Sequence, residues 1–565
     1  MQRREFLQSL STAAPAVAGE AALTAAENTL VSITAEPRVL LYDDGRHAAP
    51  LYQFAPPLTP EDFLITVDQL VGSGADTLVY QAGLEGGVAL YDSHVAQKWG
   101  DNVKQWTHPV WYRAGRHLKQ LIEDGHDPLT LLCDRCHEKR LFLIASNTFS
   151  LIGGDRETDG GLGRKSDFAY DHKQFEVGEE NDSRADSTTP RRFNLLHTEA
   201  REERLRVFSE LLSRYATDGV EIDMTTFVPY CRFDQVKELA PYLTEWLRKL
   251  SHVAREAEQG QGRRKRIYVR VPAHPDAWEV LGYDVPAWTK EKLIDGLVCL
   301  PGLTEAPMDQ DWPLEQAVQL TTGSNCRVIA GFSDLLGRQL ERAATQPMIW
   351  AAASNAYARG ADGFAIVEYH WTPNGWPWTS EEYETLRMLG HPDMLSSADK
   401  CYRVRASMGR QEPSDDWLPG VPESLPKTLE EGNQVEVRLR VSDDLSRRHA
   451  EGKVSEVRLR IRLTIHEPSL NDIRVELNGC ALSDSIRQLS DHTYRLYELG
   501  ALHPYGYIYD FVLTPGCFPE VGDNTVGVIL KKADTAIDAA IQIHDVDLSI
   551  RYRVQRHFED RPIEY

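Results

Sequence analysis

The stretch Tyr215-Ala-Thr-Asp-Gly-Val-Glu-Ile-Asp-Met224 joins the end of a helical run to a short apolar strand carrying two carboxylates. Asp218-Gly219 makes the turn. Alternation with period two then puts Glu221 and Asp223 on one face and Val220 and Ile222 on the other. The apolar face suits a layer of covering helices. Two acids on the inner face of a buried strand are expensive in an ordinary core. They are tolerated where the strand opens into a polar cleft, and in a (β/α)₈ barrel that place is the C-terminal end of each strand. Two readings of the pair follow. It is catalytic, because buried acids cluster at active sites, or it is held by Arg or backbone N–H groups to shape a loop.

Around this stretch, from residue 37 to about 395, short β-type runs alternate with helical segments. The runs lie at residues 39–42, 77–80, 141–144, 219–222, 267–270, 296–299, 327–330 and 363–367. Each is mostly apolar or β-branched, as parallel strands covered by helices are. In residues 198–215 Leu205, Phe208, Leu211, Leu212 and Tyr215 form a stripe at helical spacing, and Leu243, Trp246, Leu247 and Leu250 form another. Eight such βα units predict an α/β fold, a (β/α)₈ TIM barrel. A doubly wound open sheet is the alternative, but no G-x-G-x-x-G follows a strand.

Past residue 396 the pattern changes to strict alternation, at 435–441, 457–465, 473–477, 525–530 and 545–552. That is antiparallel sheet, and several such strands predict a β-sandwich. Leu477-Asn478-Gly479-Cys480 reads as a hairpin turn. The domain reading is an export signal or tether at 1–33, the barrel at 34–395, a connector at 396–426 and the sandwich at 427–565. The sandwich either binds carbohydrate or buttresses the barrel.

Arg3-Arg4-Glu5-Phe6-Leu7 resembles a twin-arginine signal core, and Ala16-Val17-Ala18 has the form of a cleavage site. The expected location is periplasmic or secreted, with a cytosolic tail as the alternative. A formal charge of −23 argues against nucleic acid and anionic membrane as partners. No apolar run is long enough for a membrane span. Eight cysteines are too few for a disulfide scaffold in 565 residues. Cys133-Asp-Arg-Cys136-His137 has the form of a haem-attachment sequence, but it lies on a helix that packs against the barrel and leaves no room for a porphyrin. A disulfide or two free thiols is the expectation there, and no cofactor is predicted. Residues 150–192, polar and Gly-rich, should form a loop on the barrel's C-terminal face. Their acids lack the spacing of a calcium loop.

The order of the DGVEID strand, Val269-Arg270-Val271-Pro272, Gly282-Tyr-Asp-Val285-x-x-Trp288 and Leu293-Ile-Asp295-Gly296 resembles exported bacterial glycoside-hydrolase-like TIM-barrel proteins. These are similar at the barrel level to family-10-type glycosidases. The resemblance implies carbohydrate processing without identifying the sugar. Strand ends supply the remaining candidates: Asp43 and Asp44, Tyr80 and Gln81, Asn147, Arg270 and His274, Asp334, and Glu368 with Tyr369, His370 and Trp371. Glu368 shares a face with Phe364 and Ile366, so it points inward if those two fill barrel layers; it is either catalytic or an ion-pair partner for Arg270. Trp371, Trp376, Trp378, Trp288 and Trp312 offer indole faces to a sugar ring or pack against the barrel. Glycoside hydrolysis needs two carboxyl groups. Asp223 is expected as the anionic one, held ionised by Arg270, with Glu368 or Glu221 as proton donor. Two rivals remain: a metal-dependent sugar isomerase or lyase using Glu221, Asp223 and a His, and a non-catalytic carbohydrate-binding protein.

Overall fold

A computed structural model describes residues 36–43, 50–304, 307–336, 344–368, 378–407, 417–421, 423–490, 506–536 and 538–553, with the backbone alone at Glu368. Met1–Pro37 forms one unit, of which only Glu36 and Pro37 are described, and the chain from Arg38 on forms a second.

In the second unit β1 (Val39–Asp43), β2 (Thr77–Gln81), β3 (Phe142–Thr148), β4 (Gly219–Asp223), β5 (Arg266–Pro272), β6 (Gly296–Leu300), β7 (Arg327–Ser333) and β8 (Gly363–Glu368) close into a parallel barrel in chain order. Pairing of β1 with β8 excludes the open sheet. All eight expected runs are strands, and β3, β5 and β7 continue further than their apolar stretches. The extra residues are polar or end at the barrel mouth, so hydrophobicity alone stops short of them. Leu40, Tyr42, Val79, Ile144, Tyr268 and Val298 fill the lumen. Leu41, Leu78, Leu143, Val220 and Ile222 point the other way, into the core beneath the helices. Both faces of every strand are buried, which is why the strands read as continuous apolar runs.

Phe364 and Ile366 do not fill barrel layers; they join the helix-side core, while Ala365 and Val367 face the lumen. A β-bulge between β7 and β8 then shifts the register, so that Phe332 pairs with Ile366 but Ser333 with Glu368.

The bottom of the barrel is closed by a fourfold device. Asp76, Asp218, Asp295 and Asp362 stand immediately before β2, β4, β6 and β8. Each donates its own N–H to a carbonyl at the start of the preceding strand: Val39, Leu143, Ile267 and Val328. Each carboxylate accepts the N–H of that same residue in return, at 3.2, 2.9, 2.9 and 2.9 Å. These reciprocal pairs satisfy donors that a strand start would otherwise leave open. Asp295→Ala is expected to lower the unfolding free energy by about 1–3 kcal/mol, because the Ile267 N–H loses its acceptor. Asp295→Asn, which keeps an acceptor oxygen, should lose clearly less in urea titrations.

The C-terminal strands form two antiparallel sheets. One contains β9 (Lys400–Arg403), β10 (Lys427–Thr428), β12 (Val454–Thr464), β15 (Arg487–Ser490), β16 (Gly506–Val512) and β18 (Gln542–Tyr552). The other contains β11 (Gln434–Val441), β13 (Asp472–Leu477), β14 (Cys480–Ala481) and β17 (Gly522–Lys532). Val437, Leu439, Val457, Leu459, Val526 and Val528 share one core, which makes the pair a sandwich. The Asn478-Gly479 turn has φ of 50° and 77°, the left-handed backbone that a two-residue hairpin needs. Cys480 and Cys517 form a disulfide. β9 lies inside the expected connector yet adds a strand to the sheet through β18.

Barrel and sandwich are joined by polar contacts. The Gln310 amide donates to the carbonyls of Met348 and Cys401 and accepts the Arg403 N–H. Asp311, next to Gln310, pairs with Arg438 of β11 at 3.0 Å. Among the described residues no helix is long and apolar enough to cross a membrane.

Candidate functional site

Glu221 and Asp223 project into the lumen because Val220 and Ile222, wholly buried, are claimed by the helix-side core. The strand begins at Gly219 because β5 runs close beside it: a Cβ there would lie 2.2 Å from the Arg266 carbonyl oxygen. In register, Asp223 pairs with Thr148 on one side and Arg270 on the other, and Glu221 with Ser146 and Tyr268. Paired residues of parallel strands share a face, so these side chains meet at the C-terminal end of the lumen.

Arg270 organises the cluster. Its Nη2 and Nε donate to Glu221 Oε1 at 2.7 and 3.2 Å, and its Nη1 lies 3.8 Å from Asp223 Oδ2. The guanidinium also stacks over the Tyr42 ring, 5.0 Å from its centre. Glu221 Oε1 accepts a third bond from Ser146 Oγ at 2.9 Å, and Oε2 accepts from the Tyr42 hydroxyl. Glu221 is thus held by four donors, three on Oε1 and one on Oε2. Asp223 Oδ1 accepts from the N–H and hydroxyl of Thr225, both at 2.8 Å, and Oδ2 from the Thr226 hydroxyl at 2.5 Å. Thr304, in the loop after β6, bonds Thr225 Oγ1 at 2.7 Å. That loop also carries Gln310 to the sandwich, so one segment touches both the acid cluster and the second domain.

Burial pushes the Glu221 carboxyl up to about 7, with Arg270 opposing the rise and Asp223 adding to it. The stability consequence has a definite sign. Below its ordinary value of 4.5 Glu221 is protonated in both folded and unfolded chains. Between 4.5 and about 7 the unfolded chain ionises while the folded one keeps its proton, so stability falls as pH rises; above 7 the loss is constant. The stability of Glu221→Gln relative to wild type is expected to improve by about 3 kcal/mol between pH 4.5 and 8. Urea unfolding of both proteins across that range checks it.

The other expected site residues are dispersed. Tyr80 lies on the helix side of β2, in the core with Leu78. Asn147 has the same parity on β3, 3% exposed, beside Gly83. His274 caps the helix Pro275–Leu281, accepting the Asp276 N–H, and Gly420 packs on its ring. Asp44, Tyr369, His370, Trp371 and Trp376 lie outside the described residues, as does the side chain of Glu368. Trp288 and Trp312 are buried packing groups rather than a sugar surface, and Trp288 Nε1 donates to Thr244. Cys133 and Cys136 are free, buried thiols, and His137 pairs with Asp218 at 3.0 Å. Acids of the 150–192 loop are taken up in caps and ion pairs such as Asp159–Lys165 and Asp182–Arg184. Among the described residues no three His, Cys, Asp or Glu side chains are grouped to hold a metal ion.

Part of the connector lies on the same face as the acids. Trp417 meets Phe233, from the loop after β4, edge-on at 5.4 Å, and both rings carry the Arg184 guanidinium.

The sequence reading passed over Tyr42, Ser146, Thr148, Thr225, Thr226 and Thr304. Three of them carried a signal. Ile144, Ser146 and Thr148 alternate on β3 and turn polar toward its end, as an inward face does near a mouth. Tyr42 stands two residues after lumen-facing Leu40. Thr304 sits in a loop and carried none.

No family profile and no curated protein matches this chain. Solved TIM-barrel glycoside hydrolases are distantly similar to it in structure. The glycoside hydrolase domain of PgaB (BpsB) from Bordetella bronchiseptica has a TM-score of 0.40 at 14% identity, over 63% of this chain and 99% of that one. Alpha-L-fucosidase isoenzyme 2 from Paenibacillus thiaminolyticus has a TM-score of 0.40 at 12% identity, over 63% and 49%. A noncanonic maltogenic alpha-amylase, AmyB, from Thermotoga neapolitana has a TM-score of 0.34 at 9% identity, over 86% and 98%.

Proposed function

We propose that the barrel mouth hydrolyses glycosidic bonds of an oligo- or polysaccharide. Asp223 is the anionic carboxylate, acting as nucleophile or base, and Glu368 is the proton donor. Glu221 is a positioning residue beneath them. The observation that carries the reading is the Glu221–Arg270–Asp223 cluster at the C-terminal end of the lumen. A cation bridging two buried acids keeps one ionised for chemistry on a neutral substrate. Glu221 is assigned a supporting role because four donors occupy it. Asp223 has three donors within hydrogen-bond distance, which leaves an acceptor site for a substrate. Glu368 ends β8 opposite Ser333 across a bulge, a feature that recurs beside active sites.

A second reading, a barrel that binds carbohydrate without turnover, is favoured by one fact: the more deeply set acid of the pair is tied down by four donors. Incubation of the purified protein with xylan, laminarin, pectin, alginate and oligosaccharides derived from them, followed by chromatography, separates the two. New saturated reducing ends support the hydrolase. Unsaturated ends would indicate a lyase instead. Retention of a glycan with no product would move the assignment to binding.

A further inference from the structure

Thr148 is the last residue of β3 and stands in register beside Asp223. Its side chain shares the lumen face with that carboxylate, and neighbouring strands lie about 4.8 Å apart. The residue is 6% exposed, and its hydroxyl is buried with no hydrogen-bond partner. The adjacent hydroxyls differ. Those of Thr225 and Thr226 are spent on Asp223, and Thr304 is bonded to Thr225. The Phe149 N–H donates to the Asp223 carbonyl at 3.0 Å, which fixes the Thr148 backbone against β4. A buried, positioned hydroxyl left without a partner is a cost in the empty protein. That cost is relieved if a ligand supplies the missing group.

Resting on the glycosidase reading, we propose that the Thr148 hydroxyl binds a ring hydroxyl of the sugar unit that reacts at Asp223. A threonine hydroxyl both donates and accepts, which matches a sugar hydroxyl that does the same. A ring hydroxyl within hydrogen-bond distance of Thr148 places its own ring against Asp223, so the contact selects the sugar next to the scissile bond. Thr148 is thus a specificity group for the reacting unit, with no role in moving the proton.

Thr148→Val keeps the shape and removes the hydroxyl; Thr148→Ser keeps the hydroxyl. The probes are the five-part glycan panel above, used in affinity electrophoresis for binding and in steady-state assays for turnover. The Val variant is expected to lose about ten-fold in kcat/KM and its retardation in the gel, and the Ser variant to recover to within about two-fold. The unfolding midpoint of Thr148→Val should equal or exceed that of wild type, since an unpaired polar group has gone. Unchanged kcat/KM and retardation in Thr148→Val overturn the proposal while leaving the hydrolase reading intact. A loss of activity in step with a lowered midpoint also overturns it, because the hydroxyl would then be structural. If wild type neither retains nor cleaves any panel glycan, the hydrolase reading fails and the proposal fails with it.

Discussion

Asp223→Asn is expected to lower kcat by about 10²–10⁴-fold, the range that a positioned acid or base contributes, on whichever glycan wild type cleaves. The fold should survive the change. Asparagine matches the shape of the carboxylate, and its carbonyl oxygen can still accept from the Thr225 N–H and hydroxyl. The Thr226 hydroxyl, which now donates to Oδ2, can rotate to accept from the new amide N–H. The 3.8 Å contact with Arg270 loses its charge, but Arg270 keeps Glu221 at 2.7 Å. A thermal midpoint within a few degrees of wild type, together with absent turnover and retained glycan binding, would assign Asp223 to the chemistry. Activity near wild type would remove it from the mechanism. A collapsed midpoint would mean that the acid shapes the loop of Thr225 and Thr226, the structural alternative that the sequence left open.

How much of this was legible follows from what kind of pattern each residue belongs to. The barrel was legible because most strands are apolar on both faces and are separated by helical stripes such as Leu205, Phe208 and Leu212. The inward aim of Glu221 and Asp223 was legible from period-two alternation with Val220 and Ile222. The same rule left β8 open, where an inward Glu368 was made to depend on Phe364 and Ile366 filling the lumen. Both faces are apolar there, so hydrophobicity does not say which face is inner, and a bulge shifts the backbone register before Glu368. The parity of Tyr80 and Asn147 was open in the same way. Asp218-Gly219 read as a turn; only the three-dimensional pairing with the previous strand reveals Asp218, like Asp76, Asp295 and Asp362, as a clamp. Arg270 was legible as a strand-end cation, whereas its partner Tyr42 required knowing that the closed ring sets β1 across the lumen from β5.

Arg270→Met is expected to lower the unfolding free energy by about 3–5 kcal/mol at pH 8. Arg270 is 4% exposed and stands between acids that are 1% and 3% exposed. Without it Glu221 and Asp223 face each other with no cation between them. Burial already raises Glu221 to about 7, and removing the opposing charge raises it further, so at pH 8 folding must pull a proton onto the carboxyl. At pH 5 that proton is cheaper to acquire, and the loss should be smaller. Urea unfolding at the two pH values tests the sign. Adding Glu221→Gln should recover much of the loss at pH 8, because the amide still meets Tyr42 and Ser146 without a buried charge; a coupling above about 1 kcal/mol is expected for side chains in contact. Arg270→Lys should fall between wild type and Met, since a single ammonium cannot reproduce the paired Nε and Nη2 contacts with Glu221. A Met variant that loses less than about 1 kcal/mol at both pH values would show that the acids need no bridge, and the case for a charge-poised site at the end of β4 would go with it.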